Sequence, residues 1–235
     1  MARPSLPAPV LGARLQAAAN LIRAELHADI GSDHASLPIF LLHSQRAERV
    51  VIVEKTAGPL EVARQAVQAA GLEDRATLRR GDGLDPLLPR ELESVSITGM
   101  GQRTMLGILE RGLGAGKQPE TLVVQPNDGA GLLRAWAAGH GYWLTAEALA
   151  PGFWRYPVLR LEQASGPDPA YQGLPRAAAF VYGPHLLRQR HPLLVQEVQA
   201  QLQRLGGLER HARPQVLSDL TTARSALTWL ESSGS

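Results

Sequence analysis

HADIGSDHASLPIFLL, from His27 to Leu42, is the stretch on which the reading of this chain turns. An apolar strand end runs into Asp29-Ile30-Gly31-Ser32-Asp33-His34, a sharp polar turn. An apolar run of the kind that opens a helix follows from Leu37. A strand that closes on small and acidic residues and hands over at once to a helix has a tip shaped to hold something.

The same rhythm recurs on both sides. Leu11, Leu15, Ala18, Ala19, Ile22 and Leu26 stand at helical spacing and predict a helix over 11–26. RVVIVEKT (49–56) is a run of β-branched residues, typical of a strand buried on both faces of a parallel sheet. GPLEVARQAVQAAGL (58–72) reads as a helix ended by Gly71. ATLRRGDGL (76–84) and ESVSITGMG (93–101) read as a third and a fourth strand, each finishing in glycines. RTMLGILERGL (103–113) is a helix, TLVVQPN (121–127) a fifth strand, and DGAGLLRAWAAGHGY (128–142) a glycine-loaded helix. Strand and helix alternate throughout, which implies an α/β fold with a doubly wound, mostly parallel sheet. YWLTAEALA (142–150) and WRYPVLRLE (154–162) follow without a helix between them and predict an antiparallel hairpin closing the sheet edge.

ASGPDPAYQGLP (164–175) is rich in Pro and Gly and reads as a linker. It divides the chain into a ligand-binding domain, 1–165, and a C-terminal helical domain, 176–235, with a coiled-coil-like hairpin of about 45 residues. Residues 176–235 carry 7 Arg against 4 acidic residues, and Lys55 and Lys117 are the only lysines in the whole chain. Arginine forks suit phosphates, so the tail hints at a polyanionic partner, although a solvated helix face would read the same way. The chain has no cysteine, which excludes disulfides and thiolate metal sites. There is no signal-type apolar region, and no run approaches the roughly 18 apolar residues of a membrane span. The expectation is a soluble cytoplasmic monomer, with neither membrane nor metal among its partners.

In an open parallel sheet, ligands bind at the carboxyl ends of the strands, where the strand order reverses. Those ends are Asp29 to His34, Glu54, Gly81-Asp82-Gly83, Gly99-Met100-Gly101 and Gln125-Pro126-Asn127. Five successive tips are polar, glycine-rich or both, which points to a nucleotide-type ligand. A dinucleotide turn would show Gly-x-Gly-x-x-Gly. Gly31 is the only glycine in this one, and Asp33 would repel a phosphate. An acidic turn suits a ligand with a positive centre, and S-adenosylmethionine, with its sulfonium and ammonium and no phosphate, fits. Glu54, 23 residues beyond Gly31, stands at the spacing of a ribose-hydroxyl acceptor. Asp82 is placed to accept from the adenine amino group, and Gly99 and Gly101 leave room for the methionine portion and the methyl.

DIGSDHASLP, VIVEKTAGP, GDGL, ITGMG, VVQPN and GPHLL, in this order, resemble the TrmK family of bacterial tRNA adenine-N1 methyltransferases. The similarity extends from LGARLQ to the C-terminal helices. It implies a seven-stranded, Rossmann-like class I methyltransferase sheet, S-adenosylmethionine as donor, adenine 22 of the tRNA D-arm as target, and C-terminal helices that help hold tRNA. By motif, Asp29, Gly31, Ser32, Asp33 and His34 fall in the first donor-binding loop. Glu54 falls at the ribose position, Asp82 with Gly83 at the adenine position, and Gly99, Met100 and Gly101 beside the methyl. Two positions depart from the family. Gln102 stands where the family has a further glycine, and Pro157 follows Tyr156 where the family has a glutamate, which predicts an edge position for that strand.

Methyl transfer from a sulfonium is an in-line displacement that needs nucleophile, methyl and sulfur held in line. N1 of adenine already has a lone pair, so no general base is required. The candidate catalytic residues are therefore positioning groups: Asn127 and Gln125 as amide contacts to the base edge, and Met100 beside the methyl. N1 lies on the Watson–Crick edge, so the base must be exposed, with aromatic stacking as a help. Phe153, Trp154 and Tyr156 are near one another in sequence, but packing into the core or capping the sheet is the favoured reading for them. His34 reads as a loop hydrogen-bonder, His140 as a cap or surface residue, and Leu133 and Trp136 as core. Arg188, Arg190, Arg204, Arg210 and Arg213 are candidate phosphate contacts. The competing readings are a nicotinamide oxidoreductase, a non-catalytic RNA-binding module on the same fold, and a small-molecule methyltransferase.

Overall fold

The computed structural model describes residues 8–153, 155–206 and 213–232. Seven strands form a single sheet: β1 (Ala24–Ile30), β2 (Ala47–Glu54), β3 (Ala76–Arg80), β4 (Ser94–Met100), β5 (Thr121–Pro126), β6 (Tyr142–Ala150) and β7 (Tyr156–Gln163). Their order is β3-β2-β1-β4-β5-β7-β6. Strands β1 to β5 pair in parallel, and β7 runs antiparallel to both β5 and β6. Between β1 and β4 the winding reverses, so the tips of the first four strands open onto a crevice there. The doubly wound, seven-stranded expectation is borne out.

Helices α1 (Ala13–Leu21), α2 (Ser36–His43) and α3 (Ala57–Ala70) belong with one face of the sheet. Ala18, Ile22, Leu41, Ala63 and Val67 share a buried cluster there with Val50, Ile52 and Val123. Helices α4 (Gln102–Gly114) and α5 (Gly131–Gly139) belong with the other. Met105, Leu109, Leu133 and Trp136 close a second cluster over Val53, Ile97 and Val124. Strands β2 and β5 thus bury apolar side chains on both faces, and this is why they read as apolar runs.

The first predicted helix is shorter than expected. It stops at Leu21, and Ala24 already pairs with Ala47. Leu26 suits a helical period and a strand equally, and its pairing with Arg49 of β2 decides between them. The hairpin of β6 and β7 forms, but its second strand is internal. Pro157 is buried opposite Leu149 of β6, and the β5 register ends at Val124 opposite Leu159. The proline therefore lies beyond the last β5 pair, where its missing N–H interrupts no ladder on that side.

Residues 164–175 do not hang free. Asp168 Oδ2 accepts from Leu144 N at 2.7 Å, Asp168 Oδ1 accepts from Ala170 N at 2.8 Å, and Trp143 Nε1 donates to Gly166 O at 3.1 Å. Four helices follow: α6 (Arg176–Tyr182), α7 (Pro184–Arg188), α8 (Pro192–Gly206) and α9 (Pro214–Glu231). They bury Ala179, Leu187, Val198 and Ala226 in a third cluster that includes Leu149 of β6. A buried ion pair fixes the joint. Arg134 of α5 donates from Nε to Glu147 Oε1 of β6 at 2.7 Å, and from Nη1 to Phe180 O and Val181 O at 2.9 Å. Glu147 Oε2 accepts from His185 N at 3.1 Å. Gly183, at φ +101°, passes so near that a Cβ there would lie 2.6 Å from Glu147. The glycine of GPHLL is required by this close approach.

Candidate active site

The β1 tip makes its turn through backbone angles that most residues avoid. Gly31 has φ +72°, and a Cβ there would collide with Met100 Cε. Asp33 and Ala35 also take positive φ. Two bonds tie the loop to β2: Gly31 N to Val53 O at 2.9 Å, and Asp33 N to Glu54 Oε1 at 2.5 Å. Asp33 thus serves through its backbone. Its carboxylate faces solvent beside His34, Nε2 to Oδ2 3.5 Å.

A cavity of about 460 Å³ lies above these tips. Gly31, Glu54, Asp82, Gly83 and Met100 line it, as do Lys55, Arg103, Thr104 and Arg111. Glu54 is 6% exposed, and its burial raises the carboxyl pKa against the opposing Asp33 N–H. Asp82 goes the other way. Lys55 Nζ reaches its Oδ2 at 2.8 Å and Arg111 Nη2 its Oδ1 at 3.2 Å, and the Lys55 hydrogen bond leads in lowering its pKa. Asp29, near the end of β1, and Ser32, within the loop, are not on the cavity wall. Asp29 is 1% exposed and accepts from Ser96 Oγ at 2.5 Å. Burial pushes it up to about 6, while the Ser96 and Ser32 hydroxyls pull down and the Glu54 charge adds to the rise.

On the far side of Met100 stands Asn127. Its backbone N donates to Met100 O at 2.8 Å and its Nδ2 to Gly99 O at 2.5 Å. Its Oδ1 accepts from Arg14 Nη1 at 2.6 Å, and the Arg14 guanidinium sits 5.3 Å from the ring centre of Tyr156. Gln125 is fully buried and donates from Nε2 to Pro126 O at 2.5 Å, so its amide sits behind the surface that Asn127 presents. Gln102 N donates to Asp128 Oδ1 at 2.8 Å, and Gln102 Oε1 accepts from Leu132 N at 3.1 Å. The side chain that departs from the family pattern therefore ties the start of α4 to the first turn of α5. A second cavity of about 310 Å³ opens between the β5 tip and the C-terminal helices, with Asn127, Arg155, Tyr182 and Glu197 on its walls.

Several functional candidates escaped the sequence reading. Lys55 and Arg111 matter through Asp82, which lies 27 residues from one and 29 from the other. Lys55 follows Glu54 directly and is one of only two lysines, which is the one signal available. Arg14 lies 113 residues from Asn127, and nothing in its local pattern marks it. Phe153 is 90% exposed, unlike the core packing favoured for it, and Trp154 falls outside the described residues. His140 caps α5, its Nδ1 at 2.7 Å from Trp136 O. Arg188 is engaged by Ala170 O and Gln172 O, and Arg190 by Ser232 O. Arg204 and Arg213 are exposed, and Arg210 lies outside the described residues. Among the described residues no group of three or more acidic or histidine side chains is placed to hold a metal, and no helix is long and apolar enough to cross a membrane.

The profile of the TrmK family, tRNA (adenine(22)-N(1))-methyltransferase, matches residues 27–228. The chain belongs to this family. The tRNA (adenine(22)-N(1))-methyltransferase of Bacillus subtilis (strain 168) is 31% identical to it over 194 residues, 82% of each chain. The crystal structure of the B. subtilis m1A22 tRNA methyltransferase TrmK superposes with a TM-score of 0.80 at 30% identity, covering 94% of this chain and 97% of that one. A Streptococcus pneumoniae protein in complex with S-adenosyl-L-methionine superposes with a TM-score of 0.80 at 28% identity, covering 93% and 100%. The resemblance carried by DIGSDHASLP and the later motifs is borne out, and membership of TrmK makes the chain a methyltransferase. The residues at the cleft fit S-adenosylmethionine. Glycine at position 31 lets the loop close against Met100 Cε at the cavity wall, and Glu54 and Asp82 are acceptors for hydroxyl and amino groups. The acidic β1 turn suits a cationic ligand.

Proposed function

We propose that the protein methylates N1 of adenine 22 in tRNA, with S-adenosylmethionine held over the tips of β1 to β4 and the target base arriving from the Asn127 side. The observation that carries this is the convergence of Gly31, Glu54, Asp82 and Met100 on one cavity, with Asn127 hydrogen-bonded to the carbonyls of Gly99 and Met100. The donor, when bound, supplies a methyl group activated by a sulfonium.

This chain's residues bind and align. Glu54 accepts from the ribose hydroxyls while its other tie holds the loop through Asp33 N. Asp82 exchanges part of its contact with Lys55 and Arg111 for the adenine amino group. Arg103, at the start of α4, faces the methionine carboxylate, where the positive end of a helix favours an anion. Met100, flanked by Gly99 and Gly101, is the part of the β4 tip that lines the cavity beside the methyl. Asn127 presents its amide to the Watson–Crick edge of the base, backed by the buried Gln125. The incoming nitrogen uses its own lone pair, so the site needs alignment and no proton acceptor.

The division of labour follows the two proposed domains, residues 1–165 for donor and chemistry and 176–235 for tRNA. Arg204 and Arg213 are among the exposed cations of the described residues in the second, and they favour phosphate contact. We place the reaction in the cytoplasm, carried out by a monomer. The test is transfer of labelled methyl from S-adenosylmethionine to unmodified tRNA, with the product nucleoside identified by mass spectrometry and mapped. N1-methyladenosine at position 22 supports the proposal. Donor binding with no transfer to any tRNA would move the chain to a binding role, and transfer to a different atom would reassign Asn127.

A further inference from the structure

A row of four polar side chains runs through the middle of the sheet, where the neighbouring strands carry aliphatic ones. His27, Asp29, Ser94 and Ser96 are all buried, the most exposed at 3%. His27 and Asp29 are two apart on β1, and Ser94 and Ser96 are two apart on β4, so each pair points to one face. The parallel register sets Asp29 beside Ser96. The contacts form an unbroken line: Ser94 Oγ to His27 Nδ1 at 2.9 Å, His27 Nε2 to Ser96 Oγ at 2.8 Å, and Ser96 Oγ to Asp29 Oδ1 at 2.5 Å.

We infer that this line is a one-way chain of hydrogen bonds that keeps Asp29 ionised beneath the donor loop, making His27 and Ser96 positioning residues for donor binding. The inference rests on the reading of the cleft as the donor site. The direction follows from counting protons. An ionised carboxylate only accepts, so the Ser96 hydroxyl must donate to Asp29. Ser96 then takes its own hydrogen bond from His27 Nε2–H. A neutral imidazole has a single N–H, which leaves Nδ1 to accept from Ser94. His27 is held neutral by burial, which drives its pKa down to about 3, with the positive charge of Arg160 acting the same way. Every member is satisfied, and each donation polarises the next toward the carboxylate.

Asp29 needs that help. It is enclosed, close to the like charge of Glu54, and stands at about 6 even with the Ser96 hydroxyl in place. The other ionisable groups around the row are few. Glu54 comes from β2, Asp33 from the loop and Arg160 from β7. Helix α2 carries only His43, and α1 only Arg14, which is engaged with Asn127 and Tyr156. A charge-assisted hydrogen bond is equivalent to about one to two pKa units. Without Ser96 Oγ–H, half or more of Asp29 is protonated at neutral pH, and the donor loop loses part of the negative charge that attracts a sulfonium and an ammonium.

The test is calorimetric titration of S-adenosylmethionine across about pH 6 to 9, on the wild-type protein and on Ser96→Ala, Ser96→Thr and Asp29→Asn. Wild-type affinity is expected to be level from neutral pH upward. Ser96→Ala should bind roughly two- to tenfold more weakly at neutral pH and recover toward wild type near pH 9, as Asp29 ionises. Ser96→Thr keeps the hydroxyl and should stay close to wild type. Asp29→Asn should be weak at every pH, which separates this titration from that of Glu54. An equal loss for Ser96→Ala at all pH values, or none at all, overturns the inference. Independently of any ligand, ¹⁵N spectra of His27 should show Nε2 protonated and Nδ1 bare, and the opposite tautomer or an imidazolium overturns the chain. A wild-type protein that binds no donor but shows the expected tautomer would refute the reading of the cleft and the donor-binding role, and leave the hydrogen-bond direction standing.

Discussion

Replacing Arg14 with alanine separates acceptor positioning from donor binding. Arg14 reaches Asn127 Oδ1 at 2.6 Å from a helix 113 residues away, and lies over Tyr156. A charge-assisted hydrogen bond contributes about 1.5–3 kcal/mol in a sheltered setting and an exposed cation–π contact about 0.5–1 kcal/mol. Asn127 is exposed, so solvent competes for its amide, and a net loss of about 1–2 kcal/mol is the reasonable sum. The residue would not leave the site, because its bonds to Met100 O and Gly99 O remain. What loosens is the orientation of the amide. If Asn127 aligns the base, kcat/KM for tRNA should fall by about 5- to 30-fold. The affinity for S-adenosylmethionine should hold, since Arg14 does not line the donor cavity. Initial rates at saturating donor with varied tRNA measure the first quantity, and calorimetric titration the second. The double variant with Asn127→Ala should be no slower than Asn127→Ala alone. A parallel fall in donor affinity, or losses that multiply in the double variant, would refute positioning through Asn127; the second result would make Arg14 an independent contact to the RNA.

Gly31→Ala forces a side chain into φ +72° and against Met100 Cε, so we expect about 1–2 kcal/mol of lost stability in denaturant titration and a clear loss of donor affinity; unchanged affinity would remove Gly31 from the cradle. Glu147→Ala strands Arg134, which is 1% exposed, and should cost about 3–5 kcal/mol in urea unfolding; a loss under about 1 kcal/mol would mean that the joint to the C-terminal helices does not depend on this pair. Arg204→Glu and Arg213→Glu should each weaken tRNA binding and flatten its dependence on log salt by about 0.7–0.9, with donor affinity unmoved; an unchanged slope would take those helix positions out of the RNA contact.

Much of the fold was legible because the local signals agree with one another. Buried β-branched runs, glycines at strand tips and Gly71 past the end of α3 each have one good interpretation, and the sheet order accommodates all of them. The failures have identifiable causes. Leu26 fitted two periods, and the partner strand chose. The Pro- and Gly-rich stretch before the C-terminal helices looked like a linker because composition does not register that Asp168 is bonded to Leu144 N. Pro157 implied an edge strand, when its strand is internal and only its first residues lie beyond the last pair with β5.

The sequence by itself determined the order of strands and helices, the placing of Gly31, Glu54, Asp82 and Met100 at successive tips, and the family. Those properties are local or ordered along the chain, and a parallel sheet converts that order directly into adjacency. Only the tertiary structure decided which charges meet. The hold of Lys55 and Arg111 on Asp82, of Arg14 on Asn127 and of Arg134 on Glu147 joins residues from different elements. The line from Ser94 through His27 and Ser96 to Asp29 depends on the register of two strands far apart in sequence. Hydrogen bonds and ion pairs act over a few ångströms. Their partners are set by the packing that brings elements together, and the spacing of residues along the chain does not reveal them.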